Sequence, residues 1–127
     1  MFKCLNRGDG YINNKEDIIK IEEEFKRCHK LFNAIGDETR QQILCAMMEG
    51  DCYGSRVIDL TSKVNLSRPA ISHHMQILKD ARLVKSRKEG TYIYYYLEPD
   101  QSEIKKMIGL CNSIIEIASK APDRKEE

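Results

Sequence analysis

Between Leu66 and Val84 the chain sets Arg68, Ser72, His73, Gln76 and Lys79 along one side of a segment that reads as a helix. Side chains of these types hydrogen-bond to base edges and to phosphate oxygens. Arg68 suits guanine or a phosphate; Ser72, His73 and Gln76 suit bases. Ser67 is the expected N-cap, and a helix N-terminus favours a nearby phosphate. The opposite side carries Ala70, Ile71, Met75, Leu78 and Ala81, an apolar stripe at helical spacing. His74 borders that stripe and is expected to be half-buried structure, not a reader. The plain alternative is an ordinary amphipathic surface helix, and the segment that follows argues against it. A basic hairpin is expected over Lys85–Leu97, with Glu89-Gly90 as its turn. There Lys85, Arg87, Lys88 and Thr91 are placed to contact phosphate or to reach the minor groove.

Thiols are the second candidate chemistry. Cys45 falls in the second helix and Cys111 on the apolar face of the last. A reactive thiol needs a lowered pKa and some exposure; the bland alternative is two buried cysteines acting as small hydrophobes. Cys28 with Cys111 in a dimer layer, or Cys4 with Cys52 around a soft metal, are further pairings to weigh. The five cysteines are well separated. No CxC, CxxC or Cys–His pair at ligand spacing occurs, so neither a structural metal nor a cofactor is expected.

Composition supports the first chemistry. The net charge of the 127 residues is only +1, but it is unevenly spread. Residues 61–90 hold seven Lys and Arg against Asp80 and Glu89, a net of +5, while the flanks 1–60 and 91–127 each carry a net of −2. A basic stripe of this kind attracts a phosphate backbone whatever the global charge. With no long apolar run and no secretion-type leader, the chain is expected to be cytoplasmic and not membrane-bound. At this length it reads as one domain.

The elements that must position these residues follow from periodicity and stop signals. Residues 1–14 read as an arm, 15–121 as the DNA-binding and dimerisation domain, and 122–127 as a charged tail. A first helix, capped by Asn13 or Asn14, runs to Ile35 with Ile18, Ile21, Phe25, Cys28, Phe32 and Ile35 as its stripe. Asp37 caps a second helix over 38–49 with Ile43, Leu44 and Met47 inward, and Gly50 ends it. A connector over 51–55 has room for one short strand. A third helix, about 56–64, presents Val57, Leu60 and Val64. The hairpin's second strand turns Ile93 and Tyr95 inward. A last helix over 102–119 carries Ile104, Met107, Ile108, Cys111, Ile114, Ile115 and Ala118. The fold class is mainly α with a small β wing, in the order α-α-α-α-β-β-α, a winged helix-turn-helix. The first and last helices carry more apolar surface than a small core uses, which points to a homodimer paired through them.

Asp37-Glu-Thr-Arg40, Ile43-Leu44, Asp59-Leu60, Leu66-Ser67, Ile71-Ser72-His73-His74, Leu78 and Gly90 through Tyr94-Tyr95 occur in order. With them the chain resembles the ArsR/SmtB family of winged-helix repressors, from about Leu31 to Leu97. The resemblance implies a dimer that binds operator DNA and releases it when an inducer binds. Members with an arsenic or cadmium/lead site carry Cys-x-Cys just before the Asp-Leu pair; Arg56 and Ile58 hold those positions here. Members that sense zinc, cobalt or nickel use Asp and His on the last helix; Asp100 is present and no His follows. Arg82 stands where the family usually has Gly, so the helix-to-wing turn is expected to differ. The connector near Cys52 is longer than usual. A subset of the family senses reactive sulfur or oxidants through paired thiols. Cys45 matches its first thiol, and Cys111 lies about one turn before its second.

The resulting expectation is a dimeric repressor of double-stranded operator DNA, released by an inducer; a thiol-reactive species, a soft metal and no small effector at all stay open. A winged helix serving only protein interactions would not need the basic stripe. A small thiol enzyme would need a base beside its nucleophile. The three histidines, at 29, 73 and 74, offer it little.

Overall fold

The computed structural model describes residue 11 and residues 14–121. The tail at 122–127, Cys4, Asn13 and most of the expected arm lie outside the described residues. Seven elements follow in order: α1 (Lys15–Ile35), α2 (Glu38–Glu49), α3 (Val57–Val64), α4 (Arg68–Asp80), β1 (Val84–Glu89), β2 (Tyr92–Leu97) and α5 (Gln101–Ser119). This is the expected winged helix-turn-helix order. Among the described residues no helix is long and apolar enough to cross a membrane.

The elements begin and end where local chemistry requires. Asn14 accepts the Glu16 amide at 2.9 Å and so caps α1. Asp37 accepts the Arg40 amide at 2.9 Å to cap α2, and that hydrogen bond holds its carboxyl below the ordinary carboxylate range. Asn65 takes the left-handed conformation (φ 54°, ψ 48°) that lets the chain turn between α3 and α4. Ser67 accepts the Ala70 amide at 3.3 Å, and Pro69 sits in the first turn, where an amide hydrogen has no helical partner.

The structure divides into two compact bodies. Residues 29–104 hold the helix-turn-helix and the wing. Leu31, Ile43, Leu60, Ile71, Met75, Leu78 and Val84 are buried there. Of the residues expected inward, Leu44, Val57 and Val64 are half-buried. The two wing strands pair antiparallel from Val84↔Leu97 to Glu89↔Tyr92. The turn is therefore Gly90-Thr91, one residue later than expected, with Gly90 at φ +62°. Ile93, expected inward, is 46% exposed, because a two-stranded ribbon has no layer over both faces. The connector does supply its short strand, a single bridge between Ser55 and Tyr95.

Arg82 takes the left-handed cap itself, at φ +62°. Its amide bonds to the Lys79 carbonyl and the Leu83 amide to the Leu78 carbonyl, both at 3.0 Å. That is the Schellman pattern usually built on glycine. The turn expected to differ is thus kept. The left-handed conformation costs an L-residue about 1 kcal/mol.

The second body comprises α1 up to Cys28 and α5 from Lys105. Cys28 and Leu110 are buried in it, and the Ser113 hydroxyl donates to Glu24 at 3.0 Å. The stripe expected on α1 is buried only in part. Cys28 is buried and Ile21 and Ile35 are half-buried, whereas Ile18, Phe25 and Phe32 are exposed, as is Ile19. The buried line continues from Cys28 through Leu31 and Ala34, which the expected stripe omits. On α5 the buried residue is Leu110, which the expected stripe omits, while Ile108, Ile114 and Ile115 are exposed.

One interaction ties three helices together. Arg40 is 7% exposed. Its Nε donates to the Ala34 carbonyl at 3.0 Å and its Nη2 to the Asn33 carbonyl at 2.7 Å, closing the end of α1. Its Nη1 meets His74 Nδ1 on α4 at 3.3 Å. Replacing Arg40 by Met leaves these carbonyls without that donor in a buried site. The expected loss is about 2–4 kcal/mol, read as a lower urea midpoint at unchanged slope.

Candidate nucleic-acid interface

α4 separates its two chemistries as the sequence requires. Ile71, Met75 and Leu78 have no accessible surface, whereas Arg68, Ser72, His73, Gln76 and Lys79 are exposed on the other side. The cap residue Ser67 is exposed beside them. His74 is half-buried against Arg40, as expected of a structural residue. Gln76 donates to Asp80 at 2.9 Å. Lys79 donates to the Ser86 hydroxyl at 2.9 Å and so joins α4 to β1.

On the wing the four expected residues behave differently. Lys88 and Thr91 are exposed on either side of the Gly90 turn. Lys85 pairs with Glu98, which raises its pKa above the ordinary lysine value. Arg87 is half-buried. It donates to the Tyr53 carbonyl and, at 3.0 Å, to Glu89. Its guanidinium carbon lies 5.0 Å from the Tyr94 ring centre and 5.8 Å from that of Tyr96.

Arg56 lies beside this face, and the sequence reading did not single it out for the site. Its Nε and Nη2 meet the two Asp59 oxygens at 3.1 and 3.0 Å, and its amide bonds to Asp59 Oδ2 at 3.0 Å. The side-chain bond from Arg56 holds the Asp59 carboxyl below its ordinary range. The same guanidinium stands 4.8 Å over the Tyr92 ring. An acid three residues after a helix start was the available signal; the stack on Tyr92 had none. Arg56, Arg68, Ser72, Thr91 and Tyr92 line one groove between the starts of α3 and α4 and the wing tip.

The thiols are placed apart from this face. Cys45 is exposed in a groove with Glu38, Glu49 and Lys63, and Cys111 is exposed on α5. The alternative of two buried cysteines therefore does not hold. Among the described residues no group of three or more His, Cys, Asp and Glu side chains could hold a metal ion.

The family model for the bacterial regulatory proteins of the arsR family matches residues 37–86. An uncharacterised HTH-type transcriptional regulator of Methanocaldococcus jannaschii, MJ1325, is 39% identical over 93 residues, covering 72% of this chain and 99% of that protein. The chain belongs to the arsR family. Among other arsR-type relatives, the transcriptional repressor SdpR of Bacillus subtilis is 36% identical over 86 residues, 66% of this chain and 92% of its own. Reduced HlyU from Vibrio cholerae superposes with a TM-score of 0.55 at 28% identity, over 70% of this chain and 90% of that one. The matched span of the arsR model runs from the α2 cap to the middle of β1 and so contains the whole exposed face of α4. Proteins of this family regulate transcription and are not enzymes.

Gly54 lets the connector approach the wing. A Cβ there would stand 3.0 Å from Tyr94 Cβ and 3.1 Å from the Tyr95 carbonyl oxygen, at φ +134°. Gly54→Ala should cost about 1–3 kcal/mol. It should also speed hydrogen exchange at the Ser55 and Tyr95 amides, measured by NMR, while the Leu60 and Ile71 amides stay protected.

Proposed function

We propose that this protein is a homodimeric transcriptional repressor that binds an inverted-repeat operator in double-stranded DNA. The observation that carries the reading is the outer face of α4, where Arg68, Ser72, His73, Gln76 and Lys79 stand exposed on a helix seated by Ile71, Met75 and Leu78. A major groove admits one such helix, and residues near its N-terminus reach the base edges. Ser67 and the α4 N-terminus favour a phosphate, as does Lys85 at the wing base. Lys88 and Thr91 at the wing tip extend toward the neighbouring backbone or minor groove. The name of SdpR, a repressor, supports the sense of the regulation.

Pairing of two copies is supported by apolar residues left exposed on α1 and α5, among them Ile18, Phe25, Ile108 and Ile115. Two reading helices then address half-sites about 34 Å apart. Exposure of Cys45 and Cys111 supports an inducer that reacts with thiols. The domain is assigned to residues 15–121, and a regulator of this kind works in the cytoplasm.

Sedimentation should give a dimer, and Phe25→Glu should shift it toward monomer. Fluorescence anisotropy on promoter DNA should show affinity falling about 10³–10⁵-fold between 50 and 200 mM salt. Arg68→Ala should weaken binding by about 1–3 kcal/mol. A flat salt response, or binding indifferent to Arg68→Ala, would sink the reading. Tetrasulfide treatment should lower affinity in the wild type and leave the Cys45→Ser, Cys111→Ser protein unaffected.

A further inference from the structure

We infer that Arg87 is a positioning residue for DNA binding, a clamp that sets the wing against the helix-turn-helix, and not a phosphate contact. The inference rests on the DNA-binding reading above. Arg87 faces Tyr94 directly across the hairpin, and its guanidinium lies against the Tyr94 and Tyr96 rings. Its Nη1 reaches the Tyr53 carbonyl on the connector, and its Nε is held by Glu89. The side chain is only 33% exposed, although it lies in an outer hairpin. One face is stacked and two of its five N–H donors are taken, so the orientation of the fork is set by the connector and the ribbon and not by a phosphate.

The surroundings are built for attachment. Gly54 brings the connector into van der Waals contact with the wing, and Ser55 and Tyr95 exchange backbone hydrogen bonds at 2.8 and 2.9 Å. Tyr94 packs edge-on to Tyr92, with ring centres 6.5 Å apart, and Tyr92 carries Arg56 of the α3 cap. Cation, ring, ring and cation thus run in sequence from α3 along β2 to β1. Lys88 follows Arg87 directly and Thr91 lies just beyond the turn, so the setting of Arg87 fixes where these two point.

The test is anisotropy on a duplex that the wild-type protein selects from a random-sequence pool. Arg87→Ala, Arg87→Lys, Tyr94→Leu and the Arg87→Ala, Tyr94→Leu double variant are compared, with circular dichroism to confirm folded helices. A clamp predicts that each single variant loses about tenfold in affinity. Lys does not rescue, since it keeps the charge but not the planar fork. The double variant is no weaker than either single one. Exchange at the Ser55 and Tyr95 amides quickens in the free Arg87→Lys protein. Wild-type affinity in Arg87→Lys, or in Tyr94→Leu while Arg87→Ala is weak, would identify Arg87 as a contact and overturn the inference. Wild-type affinity in Arg87→Ala, or losses that multiply in the double variant, would also overturn it. If the wild type selects no duplex, the DNA-binding reading falls and this inference with it. If it selects one and Arg68→Ala alone loses it, only this inference falls.

Discussion

The buried guanidinium of Arg40 is the constraint on which the placement of α4 rests. A fixed cation away from water is tolerated only where its donors find acceptors. Here the acceptors are the last carbonyls of α1 and a ring nitrogen on α4. The amide of the same residue is held by the Asp37 cap. One residue therefore closes one helix, starts a second and orients a third. Ile71, Met75 and Leu78 then need only apolar neighbours to seat α4 with its polar side outward.

The wing is held by a different kind of force. Its ribbon offers few buried side chains, so its placement relies on Arg56, Arg87, the Lys79–Ser86 bond and the Ser55–Tyr95 bridge. Each of these is weak where water reaches it. Together they define one arrangement, because they join the ribbon to three places: Arg56 to the start of α3, Arg87 and the Ser55–Tyr95 bridge to the connector, and Lys79 to α4. An apolar seat for the helix thus contrasts with a polar, aromatic mounting for the ribbon.

Much of this was legible in the sequence. Asp37 and Gly50 bounded α2 to the residue, since a cap and a stop act locally. The two sides of α4 were equally plain, because a helix of known phase divides its residues without reference to anything else. The phase of α1 was not. Phe25 and Cys28 share one stripe by spacing, yet Cys28 is buried with Leu31 and Ala34 while Phe25 is exposed, and only packing distinguishes them. Ile93 illustrates a second limit: alternation assigns a strand residue to a side, but not a cover to that side. Arg56 on Tyr92, and Arg87 at Tyr53 a full 34 residues away, are tertiary encounters that no spacing rule encodes.

Arg82 narrows what evolution can write at the end of α4. Glycine would relax the backbone there but surrender the guanidinium that reaches Asp100 at 3.4 Å. Asp100 in turn holds the Ser102 amide and hydroxyl at the first turn of α5, and its own amide returns to the Arg82 carbonyl. Most side chains would keep the strain and lose the tether. Three kinds of residue suit this position best: one without a Cβ, an asparagine that tolerates the left-handed region, or a long cation able to span the gap.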